Sequence, residues 1–471
     1  MPLTSPVDVL PTACCIDARV HRVVRRTWQP RRALATALVA GGLSACQSSP
    51  HANPSAADAA ALHAAMQHVT AVMVYDIFSP PQASRVYAYA SIAAYETLRQ
   101  GHPEYATLAG HAQELTPVPA PPAGIELSLP LASVHAFMNV GRALIFSRPR
   151  MDSLSSSIEA PYRARLAPEV FTRSMAYGDR VAAHILAWAG TDQYLRTRGA
   201  PKFSVRKEPG RWIPTPPAYL DAIEPHWGEL RPFLIDSASQ FRPAPPPPFD
   251  TARSSPFFRQ VQEVYDISKG LTDPQRDIAA FWDCNPYKLN VTGHSMYALK
   301  KISPGGHWML IAGLAARKAR ADMMQSAEAY ARTAMALDDA FIVGWKEKYR
   351  SNLVRPETVI NEYLDEGWQP FLQTPPFPEY LSGHSMVSNA AASVLTEEFG
   401  PTFSFDDSSE VAYGLPVRHF ESFDAAAAEA TISRLYGGIH YRMAVEEGAV
   451  VGHKLGEMEV ARLHRHGAHQ P

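Results

Sequence analysis

The sequence predicts an all-α fold, a helical bundle, and three observations carry that expectation. Apolar residues recur at helical spacing in one segment after another, with serine, proline and glycine marking the ends. No convincing alternating run of useful length marks a strand. The single long stretch that loses helical periodicity, residues 197–255, is crowded with proline, including Pro245 to Pro248. At 471 residues the chain can hold one large or two ordinary domains, and a charged fraction of only 19% fits a large apolar interior.

The helical pattern first appears over 57–77, with Ala61, Met66, Val69, Val72 and Met73 on one face, and the Ser79-Pro80-Pro81 step is expected to stop it. It resumes over 84–98, then over 127–145 and 168–188. The proline-rich excursion follows, either an ordered functional feature or a covering loop. Helices are expected again at 256–269, 273–282 and 304–319, and the longest uninterrupted pattern runs over 321–349. Shorter ones follow at 358–364, 385–399 and 424–436, and His440 is expected to open the last. This divides the folded part into an N-terminal helical region, 57–320, and a C-terminal region, 321–462, with a tail at 463–471.

Residues 1–46 read as an export signal. Arg31-Arg32 precede a short apolar run, 33–43, and Leu43-Ser44-Ala45-Cys46 resembles a bacterial lipobox. The run is too short to span a bilayer. Cys46 is therefore the expected lipidated first residue, with 47–56 a polar tether and the protein held at the periplasmic or cell-envelope face by that anchor alone. Cleavage there leaves Cys284 as the remaining thiol of four. A disulfide scaffold is excluded, no cysteine-based metal site is expected, and Cys284 reads as an inert buried thiol. A formal net charge of -2 gives no sign of a nucleic-acid partner or a polybasic membrane surface.

Three motifs carry chemistry. In the first, Lys348 and Arg355 lie two helical turns apart, and Pro356 favours extended backbone at Arg355, which turns it inward. In the second, Ser382-Gly383-His384 follows Pro375, Pro376 and Pro378 and precedes an apolar run, so it sits at a helix start. Ser382 can cap there, Gly383 lets a ligand approach, and free N–H groups suit an oxyanion. In the third, Arg434 ends one helix, Gly437-Gly438 turn the chain, and His440 follows. Two guanidiniums, an ammonium, a hydroxyl, a helix-start amide and two imidazoles form a set that fits a tetrahedral oxyanion. One imidazole can bond the central atom and the other can move a proton.

These motifs, in this order and spacing, resemble the superfamily of type 2 phosphatidic acid phosphatases and vanadium-dependent haloperoxidases. Trp345, Asp339-Ala340, Phe377 and the stretch 72–81 resemble its bacterial haloperoxidase-like branch, over roughly residues 57–460. The resemblance implies a helical bundle of that type. It also implies that Lys348, Arg355, Ser382, Gly383 and Arg434 hold vanadate, or phosphate, in one site. His440 would bond vanadium, His384 would serve as acid–base, Lys348 would polarise peroxide, and Trp345 and Phe377 would line the halide side. The implied reaction oxidises halide with hydrogen peroxide for transfer to a small organic substrate. The same cradle could support phosphomonoester hydrolysis through a phosphohistidine, or oxyanion binding by a non-catalytic lipoprotein. One departure stands out: where the family often has an aspartate four residues after the second histidine, this chain has Ala444, and Glu447 lies too far along the helix for a direct bond. Outside the motifs, His307 reads as a packed residue beside Trp308. Asp338 reads as surface, and Asp339 is open between surface and site.

Overall fold

Serine followed by proline starts much of this chain's helix. A serine hydroxyl satisfies an orphan N–H of the first turn, and proline at the first helical position gives up an N–H that has no partner there. Ser79-Pro80, Ser255-Pro256 and Ser303-Pro304 all do this, the hydroxyls accepting from Gln82, Phe258 and Gly306. The Ser79-Pro80-Pro81 step therefore begins a helix as well as closing the one before it.

The computed structural model describes residues 54–463; the signal-like segment and Cys46 lie outside them. The helices in chain order are α1 (Pro54–Tyr75), α2 (Pro80–Leu98), α3 (Leu129–Leu144), α4 (Arg148–Arg165), α5 (Pro168–Ala189), α6 (Tyr194–Arg198) and α7 (Pro256–Lys269). They continue with α8 (Asp273–Phe281), α9 (Pro304–Ala319), α10 (Met323–Ser351), α11 (Pro356–Tyr363), α12 (Gly383–Phe399), α13 (Phe423–Tyr436) and α14 (Arg442–Arg462). Helix α4 has no counterpart in the sequence reading, because Pro149 and Pro161 interrupt a polar stretch with only Met151, Ile158 and Tyr162 buried. Two small antiparallel hairpins also form, β1 (Leu289–Thr292) with β2 (Ser295–Ala298) and β3 (Phe405–Asp407) with β4 (Arg418–Phe420). Their strands are three or four residues long, too short to leave a period in the sequence. No helix among the described residues is long and apolar enough to cross a membrane.

Helix α10 is the axis, buried almost from end to end. It packs on α1, α2, α9, α12 and α14. Helix α12 sits between α10, α13 and α14, and its contact with α14 runs along small residues. A Cβ at Gly448 would lie 2.9 Å from the Ser382 carbonyl oxygen, and one at Gly456 would lie 2.7 Å from that of Ala390. One at Gly452 would fall inside the Met386 carbonyl. Glycine at every fourth position of α14 thus lets the two backbones touch, and so seats Ser382.

The proline-rich tract is ordered and pinned to α10 and to the loop before α12. Asp339 is fully buried and accepts from the amides of Phe233, Leu234 and Ile235 at 2.6, 2.7 and 3.0 Å. Trp345 Nε1 donates to the Ile223 carbonyl at 3.1 Å, and Tyr380 donates to that of Ala244 at 2.7 Å. Asp338 is not a surface residue: it is 1% exposed, 2.6 Å from the Ser84 hydroxyl. A continuous small-and-apolar run can hide a carboxylate when a helix from elsewhere in the chain supplies the partner, as α2 does here.

Candidate functional site

All three motifs converge on one buried cleft. Trp345, Phe377, Gly383, His384, Arg434, Ile439 and His440 line it, together with Asp283 and Cys284 after α8. Three ends of secondary structure build it: the last turns of α10 with the turn after it, the first turn of α12, and the α13–α14 connection.

Arg355 caps α11 in extended backbone, φ -76° and ψ 152°, as the following proline requires. Its guanidinium is fully buried. Nε donates to the Phe377 carbonyl at 2.9 Å, and Nη1 donates to that of Ile439 at 2.8 Å and faces His440 Nε2 at 3.2 Å. Nη2 has no hydrogen-bond partner among the described residues. Arg434 is as deeply buried, with Nε on the Ser433 hydroxyl at 3.0 Å. Lys348, expected to hold the oxyanion, reaches the loop that carries the second motif. Its Nζ donates to the carbonyls of Pro378 at 3.2 Å, Glu379 at 3.1 Å and Leu381, so all three N–H groups fasten the loop that carries the second motif. Its Nζ lies over the Phe377 ring at 5.1 Å.

Ser382 caps α12, its hydroxyl accepting from the Ser385 amide at 3.3 Å and the Ser385 hydroxyl at 2.7 Å. Gly383 is the first helical residue, so its N–H is one that the helix itself leaves unpaired. His384 is half-buried; its Nε2 is shut off from solvent and has no partner among the described residues. Trp345 and Phe377 meet with ring centroids 5.0 Å apart.

His440 does not open α14, which begins two residues later with Tyr441 as its cap. The rule for residues four apart on a helix therefore does not govern it, and Ala444 serves otherwise, its carbonyl accepting from the Ser382 amide at 3.0 Å. The imidazole is oriented by Glu379: Nδ1 donates to Oε1 at 2.8 Å, and the same oxygen accepts from the Tyr441 amide at 3.0 Å. Sequence reasoning left Glu379 without a role. The available signal was one carboxylate set among Pro375, Pro376, Phe377, Pro378, Tyr380 and Leu381, where burial demands a partner.

The electrostatics of the cleft favour an anion. Burial pulls the Lys348 ammonium well below its ordinary range, and the Arg355 charge adds to this. Burial takes Arg355 down to about 10. It also holds His384 and His440 well below the usual imidazole value, with the neighbouring cations pushing the same way. Glu379, in turn, is pushed up to about 7 by burial against the opposing pull of Arg355 and Lys348. Asp283, near Arg434, is committed to Lys288 at 2.8 Å and Lys301 at 2.9 Å. With the Glu379 and Glu357 carboxyls both pushed up by burial, and Glu347 and Asp283 paired with Arg350 and with Lys288 and Lys301, the buried Lys348, Arg355 and Arg434 favour an oxyanion. The free Nη2 of Arg355 and the first-turn amide of Gly383 add unspent donors, and neutral His384 leaves an unspent nitrogen. The residues present fit a vanadate-sized oxyanion.

Comparison with known proteins gives the same frame. A family model described as the VCPO second helical-bundle domain matches residues 328–468. A solved structure described as the first bacterial vanadium-dependent iodoperoxidase is 49% identical, with a TM-score of 0.83, over 87% of this chain and 98% of that one. Apo and holo structures of a bacterial vanadium-dependent chloroperoxidase share the fold at 17% identity and a TM-score of 0.60, covering 81% and 85% of this chain and 93% of theirs. No curated relative matches the sequence. With half its residues shared across nearly the whole of a solved relative, this chain belongs to the vanadium-dependent haloperoxidases.

Proposed function

We propose that this enzyme uses hydrogen peroxide to oxidise a halide, iodide before bromide or chloride, at vanadate held in the cleft. The observation that carries the reading is the orientation of His440. Glu379 accepts the hydrogen bond from Nδ1–H, which leaves the Nε2 lone pair facing a cleft ringed by Arg355, Lys348 and Arg434. His440 would bond vanadium through Nε2. Arg355, Arg434, Ser382 and the Gly383 amide would hold the oxygens, and Lys348 would add charge while fixing the loop. Vanadate bound there supplies a Lewis-acidic centre that activates peroxide toward halide without changing its oxidation state.

His384 is neutral, with Nε2 in the cleft, and is the group placed to take and return the peroxide proton. The aromatic wall of Trp345 and Phe377 excludes water from one side, where a large, weakly hydrated anion is favoured over a small one. That preference, and the 49% identity to a protein described as an iodoperoxidase, support iodide. A wider surface cleft, lined by Ile213, Thr215, Glu357, Trp368 and Gln373, shares Gln373 with the inner one and is the place for a small organic acceptor.

The test is to load the protein with vanadate and supply peroxide with iodide, bromide or chloride, running a chromogenic phosphomonoester in parallel. Vanadate-dependent triiodide formation is the expected result. Phosphate release alone, or vanadate binding with no halide turnover, would overturn the reading in favour of a phosphatase or an oxyanion-binding protein.

The reading also includes export and a lipid anchor at Cys46, supported by Arg31-Arg32, the apolar run and Leu43-Ser44-Ala45-Cys46. Labelling with a fatty-acid analogue should mark the wild type and not Cys46→Ser; equal labelling would refute the anchor.

A further inference from the structure

At the edge of the cleft, apart from the groups assigned to vanadate, three potential ligand atoms converge from distant parts of the chain. Cys284 follows α8, His307 lies in the first turn of α9, and Glu410 lies in the loop after β3. All three side chains are buried. Cys284 Sγ is 3.2 Å from His307 Nδ1 and 3.6 Å from Glu410 Oε1, and His307 Nδ1 is 3.5 Å from the same oxygen. Ligands about 2.0–2.3 Å from a tetrahedral zinc ion stand roughly 3.3–3.6 Å from one another. The three atoms therefore already describe one face of such a tetrahedron.

The surroundings are those of a ligand histidine. His307 Nε2 bonds Asp407 Oδ2 at 2.7 Å, the carboxylate contact that commonly turns the other ring nitrogen toward a metal. Asp407 is fixed in turn by the Ser409 amide at 2.9 Å and its hydroxyl at 2.6 Å. The imidazole is clamped by Trp282, stacked with centroids 4.6 Å apart, and by the edge of Phe281 at 5.5 Å. Lys301 is the cation facing Glu410, and it is neutralised by Asp283 at 2.9 Å. Cys284 also forms part of the cleft wall, which gives an ion a route in.

We propose that Cys284, His307 and Glu410 bind a divalent cation of the zinc class, with Asp407 as the outer carboxylate and a water in the fourth position. The sequence expectation of no cysteine-based metal site considered cysteines alone; the fold brings a histidine 23 residues away and a glutamate 126 residues away onto Cys284. The proposal is independent of the haloperoxidase reading, since none of the three is assigned to vanadate.

The test uses the full-length protein stripped with a chelator and dialysed against zinc alone. One zinc per chain is expected, and cobalt in its place should give a thiolate-to-metal charge-transfer band. Cys284→Ser should abolish that band, and Asp407→Asn should weaken zinc binding about 10- to 100-fold. Near-ultraviolet circular dichroism and thermal melting, measured on the same samples, confirm that each variant is folded. The proposal is overturned if the folded wild type takes up no zinc. It is equally overturned if zinc binding survives undiminished in both Cys284→Ser and Glu410→Gln, which would mean an adventitious ion only.

Discussion

His440 is oriented by a carboxylate 61 residues earlier in the chain, Glu379, whose Oε1 lies 2.8 Å from Nδ1. Glu379 lies on the loop that leads into the second motif and His440 belongs to the third, so the two motifs are joined by a hydrogen bond as well as by a shared cleft. The same oxygen takes the Tyr441 amide, and the Glu379 carbonyl takes Lys348 Nζ. Glu379 thus ties all three motifs together.

Glu379→Gln keeps an acceptor for Nδ1 but removes the charge that raises the basicity of Nε2. Vanadate affinity should fall about 10- to 100-fold, with thermal stability changed far less. Because the carboxyl is pushed up to about 7, it gains a proton as pH falls through that value, and wild type then comes to resemble the variant. The ratio of the two dissociation constants should therefore shrink toward one below about pH 7. A ratio that stays constant across that range would remove Glu379 from this role.

Asp338 offers a test through stability. Burial pushes its carboxyl up to about 8, from 3.8. The protonated form can donate to the Ser84 hydroxyl at 2.6 Å while that hydroxyl donates to the Pro81 carbonyl at 2.7 Å. Between those two pH values the folded chain keeps a proton that the unfolded chain releases, so the stability it brings is present at low pH and lost as pH rises through about 8. Asp338→Asn removes that dependence. Its melting temperature relative to wild type should climb steadily from pH 4 to pH 8.5, and a flat difference would place the proton elsewhere.

The α12–α14 contact separates a packing effect from a site effect. Gly452→Ala should cost about 1–3 kcal/mol of stability, because a Cβ there has no room against the Met386 carbonyl. Gly448→Ala presses instead on the Ser382 carbonyl and on Ser385. It should weaken vanadate binding more than Gly452→Ala does for an equal loss of melting temperature. Equal effects on binding would mean that α14 does not position Ser382.

How far the sequence could be read follows from where each partner lies in the chain. The bounds of α7 and α9 and the inward turn of Arg355 were legible because each depends on residues a few places away, whereas Ser79-Pro80-Pro81 was legible as a stop and not as the start of α2. Glu379 and His440, Asp338 and Ser84, and Cys284, His307 and Glu410 were not legible. Each of these groups is completed by a residue tens or hundreds of positions distant, and helical periodicity carries no information about such pairs. Helix α4 and the two hairpins escaped for a different reason, since the first hides few apolar residues and the strands are too short to show a period.

Arg355 gives the most direct test of the oxyanion cradle. Its fork is spent on two loop carbonyls and on the approach to His440 Nε2, with Nη2 left over. A lysine keeps the charge but cannot reproduce a planar fork that touches three elements at once. Arg355→Lys should therefore weaken vanadate binding about 10- to 100-fold, the order expected when a charge-assisted hydrogen bond worth roughly 1.5–3 kcal/mol is lost. The Michaelis constant for iodide, measured at saturating vanadate, should change less, because the Trp345 and Phe377 rings are retained and only the Phe377 carbonyl loses its Arg355 bond. Calorimetric titration with vanadate and steady-state iodide kinetics on the same preparation read the two effects separately. Vanadate affinity within twofold of wild type would show that charge alone, without the fork, builds the site.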